Sequence, residues 1–584
     1  MRESHIIPTQ AATDLPTFTI LVEGEDIGQQ YGILGIMVTK SVNRIPKARL
    51  ILSDGDVAAG DFSISSGNMF IPGNEVEIKA GYHNNEDTIF RGIITGQSIK
   101  ALENRNPFLQ IDMMDKAVKM TAGRNNRYFE AQTDSEIIEE LIGNYGLEHD
   151  VEPTGVRHDE MVQYHATDWD FVVSRAEVNG SLVFADDGKI DVKKPDPARD
   201  QLLTLAFGSN VIAFEAGIDA RDQHIAYSSR SWNYSVQQVI EEEADEPDFR
   251  GTGNISAGDL AGVTGLQNYS QQHGGKVGDS ELKAWSDSRI LRSRLAKVRG
   301  RVRINGFSDI KPGHTIKLEG FGDRFNGVAF VSAVSHEKSS DSSWYTDIGF
   351  GLDPEWHINR FDDIATRQAS GLIPPVHGLQ AGVVTNIHED PDGEDRIRVR
   401  IPVIDPEHDG VWARIASPDA GESRGMVFRP EVGDEVIVGC INDDPRDPVI
   451  IGMLHSSNKP SPIPAEESNP EKGFVTESEL KFIFNDEKRS ITLISPNGNK
   501  WILSDDEGGI KIEDENSNKI TLSSDGITIE STGDLNLKAS GDVTIQGTNV
   551  DAGASSGFKA EGGTGAELSS NGQTVVKGSI VAIN

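Results

Sequence analysis

Near the end of the chain, aliphatic residues keep a fixed beat: Ile527 and Ile529, Leu535 and Leu537, Val543 and Ile545, each pair eight residues after the one before. Glycines keep nearly the same step at Gly526, Gly533, Gly541 and Gly547, and the residue inside each pair is polar: Thr528, Asn536, Thr544. Side chains alternate across a strand, so such a triplet puts two apolar groups on one face and a polar one on the other. Short strands separated by tight glycine turns, repeated, stack into a β solenoid, because each strand needs neighbours to satisfy its backbone. Spacing alone leaves an antiparallel meander of hairpins open. The earlier pairs, Ile491/Leu493, Ile510/Ile512 and Ile520/Leu522, follow less regular steps. Two inward aliphatics per step enclose a thin core, which three chains pooled around one axis would thicken.

The rest of the chain is organised differently. With 584 residues, several domains are expected, since single cores seldom exceed roughly 250 to 300 residues. Sixty glycines and alternating stretches such as Val76-Glu77-Ile78-Lys79 predict a mainly β protein with minor α. One helix is expected from Thr133, where Thr133 and Glu136 form a capping box, Ile137, Ile138, Leu141, Ile142 and Tyr145 make the stripe, and Gly146 ends it. A second is expected near Glu281 to Val298, with Leu291, Leu295 and Val298 on one face. Arg292, Arg294, Lys297 and Arg299 lie largely on the other, read as a solvated basic face.

Composition shifts place the borders. Residues 1–370 read as one region, with a loop excursion at about 241–276. Residues 371–460 form a compact β domain entered through Gly371-Leu-Ile-Pro-Pro375. Residues 461–486 are a connector, and 487–584 the repeat region.

The formal net charge of −37 on an ordinary apolar fraction argues against nucleic acid as a partner. The single cysteine, Cys440, allows no internal disulfide, and there is no CxxC pair. Without a signal-peptide run or 18 consecutive apolar residues, synthesis in the cytoplasm and export by a machine or by lysis are expected.

The segment Gly378 to Pro460, with its GVVT opening, DPDG turn, VRIP, VWARIASPDAG, RPEVGDEV and NDDPRDPVIIGMLHSSNKP, resembles the OB-fold domain of VgrG proteins and phage baseplate spikes. Val383, Ile397, Val399, Val436 and Val438 alternate with polar residues there, as barrel strands require. TDWDF (167–171), Ile310 to Glu337 and NRYFEAQTDSEIIEELIGNYGL resemble the hub, or late-control, region of the same family. The resemblance implies a homotrimer whose hub carries two tube-like β-barrel domains per chain, an OB-fold β-barrel, and a C-terminal intertwined trimeric β-helix. It implies a structural spike of a contractile, phage-tail-like injection machine that adapts a sixfold tube to a threefold needle and punctures a target envelope. Implied partners are inner-tube or tube-initiator proteins, baseplate proteins, and a PAAR-type tip protein seated on Val581, Ala582, Ile583 and Asn584. The absence of a lysozyme-sized or effector insertion favours an extracellular particle. A type VI secretion spike or a phage baseplate spike is the alternative.

No catalytic residue, cofactor or metal site is expected. His336-Glu337 lacks the second histidine of a zinc-protease helix. Asp390, Asp392 and Gly393 echo a calcium loop without its later ligands and read as a hairpin turn. His165, near Asp168 and Asp170, reads as part of the hub. A sugar-binding tailspike would need aromatic platforms, and only Trp501 and Phe558 interrupt the repeat region.

Overall fold

The computed structural model describes residues 15–103, 106–249, 251–340 and 342–583. The chain divides into two compact units at residues 377/378, with the short loop Asn442–Pro445 grouped with the first.

The first unit is built on one 13-stranded sheet. Its amino-terminal half (Pro16–Val22, Ile33–Ser41, Lys47–Ser53, Glu75–Tyr82, Asn85–Lys100 and Phe108–Met114) closes over a core that includes Ile20, Val38, Leu50, Ile78, Phe90 and Ile111. Its second half (Leu203–Ala206, Ala213–Ile218, Val298–Asn305, Thr315–Glu319, Gly327–Ser339 and Tyr345–Phe350) packs a separate core around Leu205, Val302, Ile316, Val331 and Ile348. Where the resemblance implies two tube-like β-barrel domains, the structure shows two cores served by one sheet. They join where Ile33–Ser41 pairs antiparallel with Gly327–Ser339.

A third core lies in an α/β insertion. Helix α1 (Asp134–Gly143) starts at the expected capping box: Thr133 Oγ1 accepts from the Glu136 amide at 3.2 Å, and Glu136 Oε2 accepts from the Thr133 amide at 2.8 Å. Its Ile137, Ile138, Leu141 and Ile142 pack with Trp169, Val172 and Val173 of α2 (Asp168–Val178).

Part of the stretch read as a loop excursion is regular structure. Gln238–Glu243 and Asn268–His273 flank Ala226–Asn233 in a three-stranded sheet, and α3 (Ala257–Thr264) lies between them in sequence. The pattern was missed because Asn268–His273 (NYSQQH) has no apolar alternation. It pairs parallel to Ala226–Ser231 through its backbone, and polar contacts hold α4 (Asp279–Ala296) against the sheet, such as Ser286 Oγ to Ser229 Oγ at 2.7 Å.

Helix α4 also corrects the solvated basic face. Arg292 and Arg294 are buried. Arg292 bonds Glu177 Oε1 at 2.6 Å, and Arg294 bonds Glu246 through both Nε (2.7 Å) and Nη2 (2.8 Å). Glu177 also accepts from Asn43 Nδ2 at 2.8 Å and from the His357 amide at 2.7 Å. One buried carboxylate therefore ties together the turn after Ile33–Ser41, α2, α4 and the segment after the sheet. Buried charges persist only when paired in this way.

In the second unit, Gln380–Asn386, Ile397–Arg400, Val411–Ile415, Glu435–Cys440 and Pro448–Met453 form a closed five-stranded barrel around Val384, Ile397, Val399, Ala413, Val436, Val438 and Ile450. Val384 replaces the expected Val383 in the core, beside a register shift between Val384 and Asn386. Gly410 must be glycine: its φ is +88°, and an added Cβ would lie 1.9 Å from the Val399 carbonyl oxygen.

Seven antiparallel strands follow, from Glu471–Val475 to Gly526–Glu530, each paired with the next. Within one chain this is the hairpin meander and not a stacked solenoid. The linking turns favour reversal: Gly498 (φ +92°), Gly508 (φ +69°) and the two-residue Ser524-Asp525 turn before Gly526. The first two strands lie inside the stretch read as a connector. No strand occurs after Glu530 among the described residues.

Candidate assembly surface

The residues singled out for chemistry are absorbed by structure. His165 Nδ1 meets Thr366 Oγ1 at 2.7 Å. Asp168, fully buried, accepts from Asn125 (2.9 Å), Gln163 (2.8 Å) and the Tyr145 hydroxyl (2.8 Å). Burial and that carboxylate push Tyr145 up to about 12. Asp170 faces His357 Nε2 at 2.9 Å. His165, Asp168 and Asp170 thus serve different partners. His336 sits inside the strand Gly327–Ser339, its Nδ1 3.0 Å from Thr346 Oγ1, and burial holds it down to about 3. Asp390 accepts from the amides of Asp392, Glu394 and Arg396 and from the Arg396 guanidinium, whose hydrogen bonds hold the carboxylate well below its usual range. The DPDG motif is a turn whose acceptors are already used. No cluster of three metal-ligating side chains occurs among the described residues.

The seven-stranded sheet leaves a continuous apolar face open. The cross-strand register sets Phe474, Phe482, Leu493, Trp501, Ile512, Ile520 and Ile529 directly opposite one another, strand after strand. Two residues away on the same face runs a second row: Lys472, Phe484, Ile491, Leu503, Ile510, Leu522 and Ile527. Lys472 alone breaks an apolar face seven strands wide, about 29 Å at the usual strand spacing. The opposite face carries Gly473, Ile483, Thr492, Ile502, Lys511, Thr521 and Thr528, and turns polar toward Glu530. The apolar face is open: Trp501 is 46% exposed and Ile527 70%. It floors a trough of about 870 Å³ that Leu535 also lines. Monomeric proteins rarely leave so continuous an apolar surface to water. Trp501 is one rung of this ladder, not an isolated sugar platform.

Beyond Glu530 the backbone bends at 532–533, 540–541, 548, 555–556, 563–564, 571–572 and 579–580, with stretches free of bends, turns and strand pairing between. The eight-residue step read from residues 527–545 therefore continues, with one shorter step at 548, to residue 580. The aliphatics of these stretches are exposed, Leu537 at 72%. At the end, Val581, Ala582 and Ile583 are exposed, and Asn584 lies outside the described residues.

Comparison with known proteins places this architecture. A family model described as the Alg8 N-terminal domain matches residues 12–340, more than half of the chain. The chain belongs to the Alg8 N-terminal domain family. In this Alg8-family chain a second model, described as the type VI secretion system/phage-baseplate injector OB domain, matches residues 380–455, the closed barrel. The chain is also homologous to VgrG spike proteins. It is 22% identical over 442 residues to the type VI secretion system spike protein VgrG1b of Pseudomonas aeruginosa, covering 70% of this chain and 57% of that protein. It is 22% identical over 435 residues to the actin cross-linking toxin VgrG1 of Vibrio cholerae, covering 68% of this chain and 37% of that one. The chain thus spans between about a third and somewhat over half of these relatives. Among solved structures, the 43 kDa tail protein of prophage MuSo2 from Shewanella oneidensis superposes with a TM-score of 0.43 at 12% identity, over 58% of this chain and 98% of that one.

Proposed function

We propose that this Alg8-family chain is the central spike of a contractile, phage-tail-like injection machine and works as a homotrimer. The observation that carries the reading is the uncovered apolar face of the seven-stranded sheet, continued by an eight-residue repeat that forms no strand pairing within the chain among the described residues. Three copies around one axis would turn three such faces inward and pair each tail stretch with strands of the other two copies. At roughly 1 kcal/mol for each half-exposed large apolar side chain covered, the sheet face contributes on the order of 10 kcal/mol per chain. The polar opposite face then becomes the outside. With strands stacked at roughly 4.8 Å, seven in the sheet and six steps in the tail give a needle on the order of 60 Å, longer than the roughly 30 Å apolar core of a membrane.

In this reading the hub meets inner-tube and baseplate proteins and adapts their sixfold symmetry to the threefold needle. Residues 581–584 seat a PAAR-type tip protein. The chain acts by thrust, without catalysis or cofactor, and reaches its target in a released, extracellular particle. Its likeness to type VI secretion spikes supports a second reading, the same role inside a secreting cell. Electron microscopy of the purified chain should show threefold particles with a thin projection. Deleting the residues after Gly572 should keep the trimer and abolish capture of a PAAR-type protein. Undiminished capture would overturn the tip assignment, and globular particles without a projection would overturn the spike.

A further inference from the structure

We infer that the needle assembles in two stages that meet at Glu530, an inference that rests on the three-chain reading above. Up to Glu530 every strand of the sheet closes its ladder within one chain, through hairpins only two to five residues long. Such contacts are local in sequence, have little loop entropy to overcome, and form quickly. After Glu530 the geometry reverses. Stretches without bends such as 534–539 and 542–547 lie between bends, and no strand pairing closes inside the chain among the described residues. Leu535, Leu537, Val543 and Ile545 stay exposed. An isolated tail therefore has neither ladder hydrogen bonds nor burial to offset the entropy of ordering it.

The sheet consequently recruits the other two copies and fixes their register, and the tail zips afterwards, away from Glu530. Register matters because a one-residue slip turns an inward row outward. Polar steps such as Thr528, Asn536 and Thr544 resemble one another too closely to exclude a slip of a whole eight-residue unit. The sheet's rows are not interchangeable: phenylalanines at 474, 482 and 484 give way to Trp501 and then to isoleucines at 512, 520 and 529. That graded series supplies the alignment the repeat lacks.

The test uses full-length protein. Leu537→Asp with Val543→Asp should leave the mass at about three chains while proteolysis removes residues beyond Glu530. Trp501→Asp with Ile512→Asp should give single chains with an equally sensitive tail. Because the latter pair can also disturb the sheet itself, pulse-labelled hydrogen exchange during refolding of the unmodified chain decides the order: amides of Ser490–Glu530 should gain protection before those of 535–580. A tail variant that falls to single chains, or tail amides protected first or together with the sheet, would overturn the two-stage order. An unmodified chain that never exceeds one copy would instead overturn the three-chain reading beneath it.

Discussion

Glu177 shows what a single residue does in the first unit, the proposed hub. Its buried carboxylate receives Arg292, Asn43 and the His357 amide, and breaking such a pair leaves a charge without solvent or partner. Glu177→Ala is expected to cost about 3–5 kcal/mol, read as a large drop in the temperature of the hub's unfolding transition, with the barrel's transition unmoved. Burial also holds two histidines low, His314 to about 4 and His336 to about 3. The unfolded chain takes up these protons near pH 6.5, the folded hub only near 4 and 3. Unfolded chains therefore bind more protons in that window, and hub stability should fall as pH drops from about 6.5 toward 4. His336 alone gives a slope of up to about 1.4 kcal/mol per pH unit, with a smaller, solvent-screened share from His314. Melting curves at pH 7, 5.5 and 4.5 check this, and His336→Gln should flatten the slope. These roles were not legible in the sequence. Arg292 and Arg294 look like surface charge when read along a helix, and their partners, Glu177 and Glu246, are named only by the fold.

At the scale of elements, what is local was readable and what is remote was not. The α1 cap was legible because Thr133 and Glu136 are three residues apart, and Thr133→Ala should cost about 1 kcal/mol. The barrel was legible through the family resemblance of Gly378–Pro460, with which alternation and turn residues agreed, and Val383 and Val384 were exchanged because a bulge leaves no mark on periodicity. Gly410→Val should unfold the barrel while leaving the hub transition in place, measurable as loss of one of two calorimetric peaks, because the added side chain meets the Val399 carbonyl. The strand Asn268–His273 was invisible because its ladder is a backbone property. In the seven-stranded sheet the two-residue alternation gave the faces, but not whether each strand's neighbour is the next strand of its own chain. Turn geometry at Gly498, Gly508 and Gly526 decided that.

For the whole molecule, two structural facts point outward from the single chain: an apolar face seven strands wide that stays open, and a repeat that forms no strand pairing among the described residues. The eight-residue beat was visible over residues 527–545 and proves to run to residue 580, where Ala552, Ala560 and Ala566 no longer look like a repeat by sequence. The proposed tip seat at residues 581–584 rests on the family resemblance alone; Val581, Ala582 and Ile583 are exposed in the single chain. Light scattering on the purified full-length chain tests the central claim most directly. The account predicts a mass near three times 63.4 kDa, about 190 kDa, held on dilution; a stable species of one chain, with the sheet's apolar face still exposed to a hydrophobic dye, would contradict it.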